Sequence, residues 1–217
     1  MFCKSRQCIL LSVWLLLAGA SSVIWADQFS ALYAYVKKNY GTAAEDRVKE
    51  WKALVQANQN LSEQEKLIVV NDFFNAVPFV SDQKHWSKKD YWATPVELLG
   101  TDGGDCEDYS VAKYFTLREL GIPIEKMSLT YVKALELNQA HMVLTYYSKK
   151  GAEPLILDNL KPDIRKASLR KDLKPVYTFN GDSLWLAKAR GRGQLVGKSS
   201  RLKLWVDLVR RIEQEGK

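Results

Sequence analysis

Histidine and cysteine are scarce in this chain: 217 residues carry two histidines and three cysteines. Only one of those cysteines lies beyond the first 26 residues, and one cysteine with two histidines cannot supply ordinary zinc spacings, which argues against a zinc site. No long basic run and no aromatic–basic repeat is present, which argues against a nucleic-acid binder. Internal repeats, low-complexity tracts and linkers are also lacking. The longest apolar run, Ile9 to Ala18, is short for a ~20-residue membrane span. What is present is a globular composition, 47% hydrophobic and 26% charged, in a chain long enough for one domain with its own core.

The first 26 residues stand apart. Lys4 and Arg6 make a short basic region, the apolar run follows, and small residues precede a cut after Ala26 or, earlier, after Ala20. This is the pattern of a secretory signal peptide, the alternative being an uncleaved N-terminal anchor. Residues 27–217 then form the working domain. Losing the leader lowers the net charge from +7 to +5 and removes Cys3 and Cys8. The moderate positive excess leaves an anionic membrane surface or an acidic partner open. Cys106 is left as a lone thiol in an exported chain, where cysteines normally pair, so it must be buried or employed.

Helical spacing begins near Gln28, with Phe29, Leu32, Tyr33 and Val36, and stops at Gly41. Thr42 to Glu45 has capping-box spacing and opens a second helix through Val55; Ser62 to Glu65 repeats it and opens a third to Asn75. Residues 76–102 read as a long, partly irregular loop with a short helix start at Thr94-Pro95-Val96-Glu97. Trp86 and Trp92 in that loop either line a groove or dock a partner, or pack beneath it. A helix follows from Cys106 to Leu120, ended by Gly121 and Pro123. The period then switches to two. Four strands are expected, Met127–Val132, His141–Tyr147, Pro154–Asp158 and Pro175–Phe179, with links too short for crossover helices, hence an antiparallel sheet. Gly191-Arg192-Gly193 reads as a flexible break. A last amphipathic helix carries Leu202, Trp205, Leu208, Val209 and Ile212. Helices followed by a sheet make a single α+β domain.

The chemistry centres on Gly103-Gly104-Asp105-Cys106-Glu107-Asp108. Asp105 is an N-cap residue type, and Cys106 falls in the first helical turn, where the dipole favours a thiolate. A thiol nucleophile needs a base and a group to orient that base. Of the two histidines, His85 lies in the aromatic loop, whereas His141 begins a strand and is better held. If the second and third strands pair as a hairpin, Asp158 returns beside His141. The spacing is consistent with a Cys106–His141–Asp158 triad; the alternatives are an inert thiol, a surface imidazole and a strand-end acid. Asp102, Asp105, Glu107 and Asp108 crowd one turn and oppose a thiolate. A hard cation such as calcium would relieve that opposition, although no EF-hand spacing is present.

Five stretches together resemble the bacterial transglutaminase-like cysteine proteinases over nearly the whole of residues 27–217. They are Val70-Asn71-Asp72-Phe73-Phe74-Asn75, Asp90-Tyr91-Trp92-Ala93-Thr94-Pro95, Gly104-Asp105-Cys106-Glu107-Asp108-Tyr109, Asn138-Gln139-Ala140-His141-Met142-Val143-Leu144 and Leu157-Asp158-Asn159-Leu160. The resemblance implies a papain/transglutaminase-like α+β fold, with N-terminal helices and the nucleophile at a helix N-terminus packed on an antiparallel sheet. It implies Cys106 as nucleophile, His141 as base and then acid, and Asp158 as orienting group. It further implies calcium dependence, with Asp105, Glu107 and Asp108 at the matching acidic positions. The implied setting is periplasmic. The implied substrate is the N-terminal region of a large surface adhesin, cut at a paired-alanine site. The implied regulator is an inner-membrane cyclic-di-GMP receptor of the LapD type, acting through its periplasmic domain, so that proteolysis promotes biofilm dispersal. The same three residues could serve a transglutaminase or amidase, or persist in a non-catalytic binding module. The aromatic loop at Trp86 and Trp92 is the expected contact for receptor or substrate.

Overall fold

Seven helices and seven strands make up the residues described by the computed structural model, 29–188 and 191–215. The expected leader, 1–26, lies outside them. The N-terminal half is helical: α1 (Ser30–Tyr40), α2 (Thr42–Ala57), α3 (Glu63–Asn75), α4 (Asp82–His85), α5 (Pro95–Thr101) and α6 (Cys106–Glu119). The sheet follows: β1 (Met127–Ala134), β2 (Gln139–Tyr146), β3 (Leu155–Leu157), β4 (Arg165–Lys166), β5 (Leu173–Phe179), β6 (Ser183–Lys188) and β7 (Gly191–Lys198). Helix α7 (Lys203–Gln214) closes the chain.

Local chemistry explains most of the boundaries. Ser62 and Glu65 form the expected capping box at α3, and Thr94 and Glu97 form another at α5, where Pro95 takes the first turn. At α2 the expected box is not made. Gly41 is the N-cap, and Glu45 instead pairs with Lys49 at 2.7 Å and Lys37 at 3.2 Å. The stretch 76–102 contains two short helices, α4 and α5, rather than a continuous loop.

All strand pairs are antiparallel, in the order β4-β3-β2-β1-β5-β6-β7. Three strands escape the sequence reading. Gly191-Arg192-Gly193 begins β7 instead of forming a break, because an edge strand pairs through backbone groups and tolerates glycine. One sheet face presents Met127, Leu129, Met142, Leu144 and Phe179 to the helices. On the other, Val132, Val143 and Ile156 form a small cluster covered by Ala167 and Leu173. Helix α7 docks by Trp205, stacked on Phe115 at 5.6 Å and edge-on to Phe179 at 5.3 Å. Arg211 at its far end donates to the Trp92 carbonyl (2.5 Å) and pairs with Glu97. Helix α7 thus packs on the later part of α6 and on β5 through Trp205 and ties down the 92–97 segment through Arg211.

Candidate active site

Close backbone approach builds the turn before α6. A Cβ on Gly104 would stand 2.6 Å from Asp108 Oδ2 and 2.6 Å from Leu98 Cδ1, so glycine is required there. Gly104 also accepts from the Val80 N–H (2.9 Å), tying the 78–80 segment to this turn. Asp108 is fully buried, accepting from the Ala93 N–H at 2.7 Å and the Asp105 N–H at 3.0 Å. One carboxylate thus ties the segment at Ala93 to the turn that begins α6.

Cys106 opens that helix and is half-buried. Its thiol donates to Glu107 Oε2 at 2.9 Å. Burial, then the Glu107 charge and hydrogen bond, then Asp105 push the thiol pKa well above its ordinary value; the Met142 N–H acts in the opposite direction. The N-terminal dipole alone therefore does not yield a thiolate in this arrangement. Glu107 is itself pushed up to about 9 by burial and by Asp105. Burial raises Asp108 well above the usual carboxylate range as well.

The residue following the expected base directs its N–H toward the sulfur, which places β2 beside α6. Ser110 reinforces that seam, its hydroxyl bonding the Cys106 carbonyl at 2.9 Å and the Met142 carbonyl at 3.1 Å. His141 is buried, and its Nε2 lies 2.7 Å from Asp158 Oδ1. The pairing β2–β3, with Leu144 opposite Leu157, brings Asp158 back to His141 as the hairpin argument expects. An acceptor at Nε2 keeps the proton there and leaves Nδ1 as the basic nitrogen.

Asp158 is anchored on every side. Leu160 N–H donates to Oδ1 at 3.0 Å, and buried Arg170 donates to Oδ2 at 2.6 Å. Burial raises the Asp158 pKa, but the bonds from His141 and Arg170 outweigh it and hold the carboxyl below its usual range. Arg170 is steadied in turn by a two-pronged contact with Asp172, 3.0 and 2.9 Å. From the helical side, Asn75 donates to the Asp158 carbonyl (3.0 Å) and Asn71 to the Pro162 carbonyl (2.8 Å). Buried Lys113 donates to both asparagine oxygens, at 2.9 and 2.7 Å, and burial lowers its pKa to about 7.

Cys106 and His141 line one groove of about 850 Å³, together with Phe79, Tyr131, Asn159 and Tyr177. Tyr131 and Tyr177 stack at 5.0 Å on its floor, and residues 201–204 form part of its wall. Trp92 is buried and stacks on Phe179 at 5.7 Å, so it serves the core and meets the groove only at its edge. Trp86 packs on His85 and Tyr91. Of the two readings of these tryptophans, Trp92 packs in the core and also lines the groove, while Trp86 is partly buried against its neighbours. His85 is held by Thr101, 2.7 Å away, outside the groove lining.

The acids group in three overlapping sets, each with oxygens, or in one case a sulfur, within 4.8 Å of one another: Asp105, Cys106 and Glu107; Asp82, Asp105 and Asp108; Asp82, Asp90 and Glu107. An all-carboxylate oxygen set suits a hard cation.

The family model of the bacterial transglutaminase-like cysteine proteinases matches residues 28–172. The chain belongs to this family. Solved structures of LapG from Legionella pneumophila superpose with TM-scores of 0.74 and, for the calcium-bound form, 0.72. Both are 40% identical in sequence and cover 83% of this chain, and 95% and 97% of the Legionella chains. An EGTA-treated Legionella structure matches at 41% identity and TM-score 0.74. No curated protein matches. This transglutaminase-like proteinase is accordingly a cysteine protease with the mixed helical and antiparallel-sheet fold expected from its sequence. Three features of the site were not anticipated: Arg170 behind Asp158, the Asn71–Asn75–Lys113 cluster, and Asp82 among the acids. Asn71 and Asn75, one helical turn apart on the last, largely apolar turns of α3, were the visible signal for the second. Arg170 and Asp82 lie in turns and short elements, where no periodicity marks them.

Proposed function

We propose that this protease is a periplasmic, calcium-dependent endopeptidase using Cys106, His141 and Asp158, and that it cleaves the N-terminal region of a large surface adhesin at a paired-alanine site. In this reading an inner-membrane cyclic-di-GMP receptor of the LapD type holds the enzyme when the nucleotide is abundant, and release of the enzyme detaches the cell. Export rests on the leader pattern of residues 1–26. The observation that carries the reading is that Cys106 and His141 line one groove, with Asp158 bonded behind His141, in a chain 40% identical to a LapG solved with calcium.

Cys106 attacks the scissile carbonyl once its proton has passed to His141 Nδ1, while Asp158 holds Nε2–H and stabilises the imidazolium. The Cys106 N–H at the start of α6 is the oxyanion donor in this reading. His141 then protonates the leaving amine, and water hydrolyses the thioester. Asp105, Glu107 and Asp108 would hold calcium, which neutralises the carboxylates beside the sulfur. The test is incubation with an adhesin N-terminal fragment, with and without a chelator, comparing the wild type with Cys106→Ala. Cleavage by the wild type alone, abolished by chelation, is expected. Persistence in Cys106→Ala would sink the mechanism, and insensitivity to chelator would sink the calcium requirement.

A further inference from the structure

Lys113 lies on α6, the helix that begins with Cys106, about two turns further along. It is 1% exposed, and its Nζ donates to the side-chain oxygens of Asn71 (2.9 Å) and Asn75 (2.7 Å) on α3. A buried amine bonded to carboxamides rather than to a carboxylate costs stability that an apolar side chain would not. What it supplies is direction. An ammonium only donates, so both asparagines turn their oxygens to it and their NH2 groups away. Asn75 Nδ2 then donates to the Asp158 carbonyl (3.0 Å), and Asn71 Nδ2 to the Pro162 carbonyl (2.8 Å). Between those two points lie Asn159 and Leu160, which line the active groove.

We propose that Asn75 and Lys113 are positioning residues for the cleavage reaction: they latch the 158–162 segment to α6, so that the helix bearing Cys106 also fixes Asp158 and one wall of the groove. The inference rests on the triad reading above and names what sets the place of its third member. Strand β3 is three residues long and ends at Leu157, so the sheet ladder stops one residue before Asp158. Arg170 and the Leu160 N–H orient the Asp158 carboxylate, whereas the Asn75 bond holds its backbone. The latch therefore does what the ladder does for His141, which sits within β2.

Cleavage of the adhesin N-terminal fragment tests this, with kcat expressed per thiol reactive to a thiol-directed probe, so that misfolded enzyme is not counted. Asn75→Asp keeps the side chain's size and pairs with Lys113, but has no donor for the Asp158 carbonyl. It is expected to retain the fold while kcat falls at least about tenfold, within the hundredfold that a misplacement of about 1 Å can cause. Lys113→Met should lower kcat similarly, and Lys113→Gln, whose amide still donates, should recover part of the loss. Val48→Ala, a core truncation in α2, should lose stability with kcat per reactive thiol unchanged. Hydrogen exchange on the wild type needs no variant. Leu160 is 40% exposed, yet its N–H should exchange slowly because its partner Asp158 is held. Wild-type kcat in Asn75→Asp, a loss no greater than that in Val48→Ala, or rapid exchange at Leu160 overturns the proposal and leaves the cluster as core support alone. Full cleavage by Asp158→Asn would instead overturn the triad reading on which it rests. Failure of the wild type to cut the fragment would overturn the substrate reading, with the exchange measurement still deciding the latch.

Discussion

Arg170 and Asp158 form a buried ion pair whose function differs from that of a surface bridge. Replacing one partner strands the other's charge in the interior, at a cost of about 3–5 kcal/mol. Arg170→Met should therefore lower stability by that order and let Asp158 drift from His141. A misplacement on that scale lowers kcat by up to about a hundredfold, with KM nearly unchanged and partial recovery in Arg170→Lys. Acid unfolding gives an independent readout. Asp158 and Asp172 both have folded pKa values below their unfolded ones, so their stabilisation is present above about pH 4 and is lost as pH falls through the folded values. The wild type should lose stability steeply on acidification, and Arg170→Met should start lower with a flatter curve. Asp158→Asn should retain the fold yet lose activity by about a thousandfold or more, because the amide can present its NH2 to Nε2 and favour the wrong tautomer.

Among the elements, the turn before α6 is the least tolerant. Gly104→Ala sets a methyl group against Asp108 and Leu98, and the expected outcome is a loss of about 1–3 kcal/mol in chemical denaturation with a larger proportional loss of proteolysis. The bonds displaced are those that position Cys106 and Ala93. Legibility varied by element for physical reasons. Helix starts at α3, α5 and α6 were readable because capping is decided by side chains within a few residues. Strands β1, β2, β3 and β5 announced themselves by alternation. Strand β7 did not: the hydrogen bonds of a glycine-rich edge are made by a neighbouring backbone, which leaves no trace in side-chain pattern.

For the whole molecule, the proposed calcium site and pH are the two external controls. A cation that binds the folded state alone stabilises it by about 2.7 kcal/mol at a hundred times its dissociation constant. The melting temperature should rise with calcium and fall back on adding chelator. Lys113 supplies the second control. Its folded pKa of about 7 lies below the 10.5 of a free lysine, so between those values the unfolded chain binds more protons and stability rises with pH. Lys113→Met should flatten that rise in denaturation curves measured from pH 7 to 10. An unchanged slope would show that the ammonium is stabilised by Asn71 and Asn75 well enough to stay charged.

The sequence by itself determined the helices, the antiparallel hairpin, the lone thiol at a helix start and the histidine and aspartate it would need. The helices and strands follow from short-range pattern, the thiol from an inventory of one outside the leader, the histidine from its place on a strand, and the aspartate from the hairpin that returns it beside that histidine. Tertiary structure decided what surrounds them. It set Arg170 behind Asp158, two asparagines and a lysine beneath the 158–162 segment, and Asp82 among acids 23 residues further along the chain. Long-range contacts of that kind are fixed by how elements pack, and no spacing along the chain encodes which polar group ends up opposite another.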